Sequence, residues 1–139
     1  MQLATGNLAA AKVKYEAVLK LTPDDAELMN NLAYVLVQLK DPGALKMAER
    51  ALARSPNAPH VIGTAGWAAF NAGQTDRAMQ LLRDARLRDP ANADTRYFLG
   101  AVLASVGRST EARDELSNAL KTSDFTNRQA ATQLLTSLK

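Results

Sequence analysis

The 139-residue sequence contains no cysteine and only one histidine, His60. The lack of cysteine excludes disulfides, thiol catalysis and cysteine-based zinc sites, and His60 has no second histidine with which to hold a metal ion. No P-loop, dinucleotide-binding glycine pattern or nucleophile elbow occurs. The sequence therefore predicts no enzyme, no catalytic residue, no metal site and no cofactor.

Long apolar runs are also missing. No stretch approaches the roughly 18 consecutive apolar residues that span a bilayer, so we expect no direct membrane insertion of this segment. Aromatic residues make up only 5% of the chain while alanine recurs throughout. That composition favours closely packed helices over a β-sandwich, and the absence of cysteine is compatible with both cytoplasm and periplasm.

The sequence repeats itself with a period of about 34 residues. Segments that begin at Gly6, Gly73 and Gly107 align with one another, and the last two glycines are 34 residues apart. Three prolines are spaced by 33 and 34 residues: Pro23, Pro56 and Pro90. A period of about 34 residues is typical of tetratricopeptide repeats (TPRs), each of which consists of two antiparallel helices.

Small and bulky residues recur at fixed distances before each proline. The positions twelve, eight and five residues before it are Ala11, Tyr15 and Val18, then Ala44, Ala48 and Ala51, then Ala78, Leu82 and Ala85, and in the last copy Ala112, Leu116 and Ala119. The preceding helices carry the pairs Leu32-Ala33, Ala65-Gly66 and Leu99-Gly100. Small residues at such positions let helices approach closely. The sequence is thus identified as a member of the TPR family, which implies an all-α, right-handed α-α superhelix.

We predict one domain over 1–139 with about three complete helix pairs. Its parts are a partial repeat at 1–23, repeats at 24–56, 57–90 and 91–123, and a capping helix within 124–139. The predicted helices cover a stub at 1–5 and then 7–21, 25–38, 42–54, 58–71, 75–88, 93–105, 109–121 and 125–138. Asp41 and Pro42 predict an N-cap and a first-turn proline that restart the helix after a one-residue deletion.

The two ends of the predicted array differ. The last segment carries Phe125, Ala130, Leu134, Leu135 and Leu138 at helical spacing, with Thr and Gln elsewhere, which is typical of a capping helix. The repeat register instead places residue 1 near the end of a helix. We therefore expect the chain to be the C-terminal part of a longer array, and helix 7–21 to expose apolar surface that promotes homo-oligomerisation.

The first helix of each TPR pair lines a concave groove, so membership implies where a ligand would bind. Groove-facing positions here carry aromatic rings and amides suited to a peptide or extended segment. We select nine candidate groove residues: Asn30, Asn31, Tyr34, His60, Thr64, Trp67, Phe70, Asn71 and Tyr97. Other positions in the same register include Glu27, Gln38, Gly63, Asp94 and Phe98. The alternative for Trp67, Phe70 and Phe98 is a place in the core.

Positive charge is scarce in the predicted groove. The sequence has 17 basic and 14 acidic residues, yet only Arg96 lies on the three complete first helices. A groove without cations cannot hold a C-terminal carboxylate, as chaperone-binding TPR domains do, nor make the phosphate contacts that dominate nucleic-acid affinity. We predict a protein or peptide partner and no nucleic acid. Acidic residues such as Asp114 and Glu115 are expected at helix starts or on solvated faces.

The sequence from about Asn30 onward resembles one TPR group more closely. The stretches NNLAYVLVQLKDPGALKMAERALARSPNAPHVIGTAGWAAFNAGQTDRAMQLLRDA and TRYFLGAVLASVGRSTEARDELSNAL, followed by a helix with Phe125 and Arg128, are similar to the C-terminal repeats of bacterial exosortase (PEP-CTERM) TPR lipoproteins. The resemblance implies a lipid-anchored scaffold in the envelope of a Gram-negative bacterium, in an exopolysaccharide or protein-sorting system. The sequence departs from that group at Gly63, where an acidic residue is usual, so a ligand role of that acid does not carry over.

Three hypotheses for the function follow. The first, which we favour, is an interaction scaffold with a peptide or partner segment in its groove. The second is a structural spacer, which a buried Trp67 and a featureless groove would favour. The third is a glycan-binding module, because the aromatic faces of Tyr34, Trp67 and Tyr97 with nearby amides could also hold sugars. A glycosyltransferase or hydrolase would need a pair of carboxylates that the sequence does not present.

Overall fold

A computed structural model describes residues 5–138 of the chain. These residues form eight α-helices and no strand, which confirms the predicted all-α fold. The helices are α1 Thr5–Leu21, α2 Ala26–Gln38, α3 Ala44–Arg54, α4 Pro59–Asn71, α5 Thr75–Arg88, α6 Ala93–Ser105, α7 Ser109–Ala119 and α8 Arg128–Ser137.

Helices two to seven form three pairs, and the stack of pairs curves toward one side. Helix α2 packs on α3, α4 on α5 and α6 on α7, while α1 covers α2 and α8 covers α7 and part of α6. The first helices of successive pairs also contact one another, α2 with α4 and α4 with α6. Within residues 5–138 the second helices make no such contacts with each other. The first helices therefore line the concave face, as predicted.

The recurring small and bulky positions form the contact surfaces between helices. Ala48, Ala51 and the corresponding residues of the next two copies are fully buried. A Cβ added to Gly66 would lie 2.7 Å from Leu82 Cγ, and one added to Gly100 would lie 2.9 Å from Leu116 Cγ. The glycines therefore let the two helices of a pair approach to a distance that no other residue allows.

The corresponding position in α1 is more exposed to solvent than in the complete repeats, because among the described helices α1 packs on α2 alone. Val18 is 40% exposed, whereas its counterparts in the three complete repeats are buried. Helix α1 also begins at Thr5 and continues through Gly6, so the predicted break between a stub at 1–5 and a helix at 7–21 is wrong at Thr5. The rest of that stub, residues 1–4, lies outside the described residues.

The turn after α2 uses a lysine where the later turns use glycine. Lys40 has a φ of 56°, and Gly73 and Gly107 have φ values of 85° and 82°. In each turn, the N–H of the residue after the left-handed one donates to the carbonyl oxygen five residues earlier. In the turn after α2, Asp41 N donates to Leu36 O at 2.9 Å. The three first helices therefore end in the same left-handed cap.

The predicted start of α3 is wrong. Helix α3 begins at Ala44 rather than at residue 42, and its N-cap position is Gly43. The Asp41 carboxylate does not cap the helix, because it accepts a hydrogen bond from Gly43 N at 2.8 Å and so forms a turn of its own. Its other oxygen pairs with Lys12 Nζ at 3.0 Å and links this turn to α1.

Two boundaries near the C-terminal end also differ from prediction. Helix α7 ends at Ala119 instead of residue 121, and α8 begins at Arg128 instead of residue 125. The residues before α8 form a turn, because the Asn127 N–H and side-chain amide both donate to Asp94 Oδ1, at 2.9 and 2.8 Å. A contact that is 33 residues away in sequence thus sets where α8 starts.

Glu115 was expected on a solvated face but is buried, with 6% of its surface exposed. Its carboxylate accepts a hydrogen bond from Arg96 Nη1 at 2.8 Å and pairs with Arg86. The three residues connect α6, α5 and α7. This network explains how a carboxylate lies inside the stack without an isolated buried charge.

Candidate functional site

An aromatic cluster occupies the middle of the concave face. Trp67 stacks on Phe98 with 4.6 Å between ring centroids, and it contacts Phe70 and Tyr97 at 5.7 Å each. Tyr34 reaches Phe98 from two repeats away, at 6.4 Å. Phe98 is buried, which agrees with the core alternative for that residue, while Trp67 and Phe70 are half-buried. The cluster joins the three first helices.

A cavity with a volume of about 300 Å³ opens beside this cluster, at the N-terminal end of the first helices. The capping of α2 and α6 places their first turns here, since Asp25 Oδ1 accepts from Leu28 N and Asn92 Oδ1 accepts from Thr95 N. Five of the nine predicted groove residues line the cavity: Asn30, Asn31, Tyr34, His60 and Thr64.

Other lining residues were not among the nine selected from sequence. The start of α6 supplies Asn92, Asp94, Thr95 and Phe98, and the remaining walls come from Tyr15, Val35 and Thr126. Asp94 and Phe98 share the groove-facing register, so the repeat pattern contained a signal for them. Tyr15 and Thr126 lie outside the complete first helices, and only the tertiary structure brings them to the cavity.

The remaining predicted residues do not line this cavity. Trp67, Phe70 and Tyr97 belong to the aromatic cluster. Asn71 lies at the far end of α4, where its Nδ2 donates to Trp67 O at 2.9 Å. It lines a separate cavity of about 350 Å³ next to the turn that contains Lys40. The predicted set is thus divided between one cavity, the ring cluster and the opposite end of the groove.

Several polar side chains in the cavity walls are paired. His60 Nε2 and Glu27 Oε1 are 2.5 Å apart, and Thr64 Oγ1 donates to His60 O at 3.1 Å. Asn30 differs, because its side chain is buried, with 8% of the residue exposed, and its Oδ1 has no hydrogen-bond partner within residues 5–138. A buried amide without a partner costs free energy, so it marks a position that a ligand or a water could satisfy.

The two tyrosines of the concave face stay neutral near physiological pH. Burial raises the pKa of Tyr34, and the nearby Asp94 carboxylate adds to that effect. Burial also raises the pKa of Tyr97. Tyr34 Oη donates to Asn127 Oδ1 across 3.5 Å. Both rings can therefore offer hydroxyl groups and apolar faces, but no negative charge, to a ligand.

No lysine or arginine of the described chain lines the cavity. Arg96, the cation on the first helices, is held by Glu115 Oε1 and by Pro90 O, each at 2.8 Å. Other arginines of the second helices pair with carboxylates there, as Arg83 does with Glu111. The cavity walls therefore present the Asp94 carboxylate, amides and aromatic rings, with His60 as the one basic side chain among the described lining residues.

Comparison with protein families identifies the repeat. The family model described as "Anaphase-promoting complex, cyclosome, subunit 3" matches residues 37–119, which is more than half of the chain. The model described as "Tetratricopeptide repeat" matches residues 2–59. The chain belongs to the tetratricopeptide repeat family. No curated protein sequence matches the chain.

Solved TPR structures share the fold over nearly the whole length. The thermophilic TPR protein TTC0263 of Thermus thermophilus is 25% identical, with a TM-score of 0.81 over 96% of this chain and 73% of that one. YrrB, described as a TPR protein with an unusual peptide-binding site, is 25% identical, with a TM-score of 0.68 over 92% and 67%. Pseudomonas aeruginosa pilF is 22% identical, with a TM-score of 0.73 over 96% and 60%. These matches confirm the predicted right-handed TPR solenoid.

TPR proteins are generally non-enzymatic scaffolds for protein–protein interaction, and this TPR chain has the corresponding fold. Within residues 5–138, no group of three or more His, Asp or Glu side chains is suited to hold a metal ion. None of the described helices combines the length and the hydrophobicity needed to cross a bilayer.

Proposed function

We propose that this TPR array is a non-catalytic interaction scaffold that binds an extended peptide segment of a partner protein on its concave face. The observation that carries the proposal is the cavity, where five predicted groove residues from α2 and α4 meet beside the aromatic cluster. Its buried Asn30 amide has an unsatisfied oxygen. Peptides carry N–H donors in the backbone and in side chains, and either kind can donate a hydrogen bond to such an oxygen.

The geometry of the aromatic cluster favours a peptide over a glycan. Sugars bind to open aromatic faces, but one face of Trp67 is stacked on Phe98 at 4.6 Å. Tyr34 and Tyr97 are themselves half-buried against the same rings. A structural spacer would need neither a cavity nor an unpaired amide in its wall. The known use of a TPR protein such as YrrB in peptide binding also supports the proposal.

Peptide selection tests this proposal without requiring the identity of the partner. A random peptide library displayed on phage would be selected on the wild-type chain, and selected peptides would be measured by fluorescence anisotropy. Asn31 and His60 are exposed lining residues, so Asn31→Ala/His60→Ala removes contacts without a change in the core. We expect this double variant to weaken binding about tenfold, since each lost hydrogen bond costs about 0.5–1.5 kcal/mol and about 1.4 kcal/mol corresponds to a factor of ten.

The matched control is Gln80→Ala/Ser117→Ala, which removes two exposed polar side chains from second helices. It should bind the selected peptides as the wild type does. Failure to select any peptide, or equal loss in both double variants, would contradict concave-face binding.

We also propose a cellular setting for the array, in a bacterial exopolysaccharide or protein-sorting system with an envelope location. The support is the resemblance of the sequence from Asn30 onward to exosortase-linked TPR lipoproteins. Fractionation of the source bacterium followed by immunoblotting tests the location, and deletion of the gene tests the effect on surface polysaccharide. A cytosolic protein whose deletion leaves the polysaccharide unchanged would refute this setting and leave the scaffold proposal intact.

A further inference from the structure

Two carboxylates lie at the cavity, one at the start of α2 and one at the start of α6. Asp94 lines the cavity, and its Oδ1 accepts both bonds from Asn127. Glu27 contacts the lining residue His60 through Oε1. An ionised carboxylate can accept about four hydrogen bonds, which is more than these contacts use, so both groups retain acceptor capacity.

Carboxylates in the first turn of a helix have an ordinary structural role, because they offset the positive end of the helix dipole. That end amounts to about half of one elementary charge. A full negative charge in the first turn of α2, and another in that of α6, therefore exceeds what the helix end beside it offsets. The excess persists at the cavity because no lysine or arginine of the described residues lines it, and His60 offsets the Glu27 charge only when its ring is protonated.

The Asn30 amide is independent of these helix ends. It lies in the second turn of α2, is more than nine-tenths buried, and has an Oδ1 without a partner in residues 5–138. Tyr34 and Phe98 add aromatic faces to the same walls. Carboxylate and amide oxygens next to aromatic rings are the groups that bind a desolvated cation.

The size of the cavity limits the occupant. About 300 Å³ is at the lower end of the range for small-ligand pockets, so the cavity accepts a single extended side chain and not a folded element. We propose that it receives the basic side chain, lysine or arginine, of the bound segment. This inference rests on the proposed function, because it assigns the ligand chemistry of the same cavity.

Short peptides that differ only in charge test the inference. The probes are acetyl-Ala-Ala-Arg-Ala-Ala-amide, its lysine analogue, and its citrulline analogue, which keeps the shape of arginine but is neutral. NMR titration would follow the side-chain amide signals of Asn30 and Asn31. We expect at least one cationic peptide to shift these signals saturably, with about tenfold weaker binding of the citrulline peptide and weaker binding at higher salt.

Protein variants locate the charge that matters. Asp94→Asn keeps an oxygen that can accept from Asn127 but removes the negative charge, and it should weaken binding of the cationic peptide about tenfold. Glu27→Gln changes an exposed residue and should weaken binding in the same direction. The matched control Asp114→Asn removes an exposed carboxylate from α7 and should leave the affinity unchanged. Unchanged backbone amide spectra would show that each variant is folded.

The outcomes separate this inference from the proposed function. Equal affinity for the citrulline peptide, no saturable shift with any of the three peptides, or an Asp94→Asn variant that binds like the Asp114→Asn control would overturn the basic-side-chain assignment. If phage-selected peptides then still depended on Asn31 and His60 but lacked basic residues, the scaffold proposal would stand alone. If no selected peptide depended on those residues, the scaffold proposal would fail as well.

Discussion

Lys40 has a left-handed backbone conformation that glycine adopts at the corresponding positions of the other repeats. Its φ of 56° corresponds to the 85° of Gly73 and the 82° of Gly107. A left-handed conformation costs a residue with a side chain about 1–2 kcal/mol. The turn after α2 is therefore held by its hydrogen bonds and by the Asp41 side chain against a local conformational cost.

Lys40→Gly should stabilise the protein. Relief of the left-handed strain exceeds the entropy that glycine gains in the unfolded chain, so the free energy of unfolding should rise by about 0.5–1 kcal/mol. The matched variant Gly73→Ala should lower it by about 1 kcal/mol, because nothing lies within 4 Å of the added Cβ and only the conformation resists. Urea denaturation measures both, and a destabilised Lys40→Gly protein would contradict this account.

Asp41 should make the attachment of α1 sensitive to acid. The hydrogen bond from Gly43 N and then the Lys12 ammonium lower the pKa of Asp41, so its carboxylate stabilises the fold above its unfolded pKa. That stabilisation is lost as the pH falls through the lower, folded pKa. The pKa of Lys12 is raised by the same pair, so its contribution is present below its unfolded pKa and is lost only as a strongly alkaline pH rises through the folded value.

Carboxyl-detected NMR titration should show Asp41 ionising at lower pH in the folded chain than in the urea-unfolded chain. In Asp41→Asn, hydrogen exchange in α1 should be faster at neutral pH and should change less on acidification than in the wild type. Identical exchange in both proteins across the acid range would show that this contact does not hold α1.

At the scale of the elements, the glycines of the first helices decide how closely the helix pairs approach. Gly66 and Gly100 lie in α4 and α6, where glycine lowers helix propensity by about 1 kcal/mol relative to alanine. Both face a leucine of the partner helix at a distance that leaves no room for a Cβ. Packing between helices therefore outweighs the local preference of each helix.

Gly66→Ala should destabilise the protein although alanine is the better helix former. The added Cβ would lie 2.7 Å from Leu82 Cγ and 3.3 Å from Leu81 Cβ. Overpacking of this kind costs about 1–3 kcal/mol, so we expect a net loss of about 1 kcal/mol or more after the gain in helix propensity. Thermal unfolding monitored by circular dichroism provides the measurement.

The control is to introduce Gly66→Ala into a Leu82→Ala protein, which tests whether the contact with Leu82 is the cause of the lost stability. Once Leu82 is shortened, the extra methyl group has space, and the cost of Gly66→Ala should shrink or change sign. The same cost in both backgrounds would place the cause elsewhere.

At the scale of the whole molecule, helix α1 exposes apolar side chains that the three complete repeats bury or lack. Val13 is 66% exposed, Leu21 is 81% exposed and Val18 is 40% exposed. We propose that this face drives self-association of the chain into a homodimer. Removal of such surface from water contributes about 25 cal/mol per Å² of apolar area.

Light scattering coupled to size-exclusion chromatography would test this over a range of concentrations. The wild type should form dimers, while Val13→Ser/Leu21→Ser should remain monomeric. The control Leu87→Ser/Val106→Ser changes two exposed apolar residues on other parts of the chain and should dimerise like the wild type. A wild-type chain that stays monomeric at all concentrations would contradict the proposal.

The 34-residue period is sufficient to predict the repeat and therefore the fold. Leu82 and Leu116 are one period apart, so the contact that buries one of them is reproduced in the next repeat. The same register selected Asn30, Asn31, Tyr34, His60 and Thr64, which meet in one cavity because successive first helices present equivalent positions side by side. The period is a spacing between residues along the chain, so it can be found from the sequence without a structure.

The features that break the period arise from tertiary contacts and are not predictable from the repeat. Asn127 stops the extension of α8 toward Phe125 because it bonds to Asp94, and Glu115 is buried because two arginines from other helices converge on it. Tyr15 and Thr126 complete the cavity from outside the first helices. These outcomes depend on contacts between residues far apart in sequence, each made once, so no repeating pattern records them and only the folded chain brings the partners together.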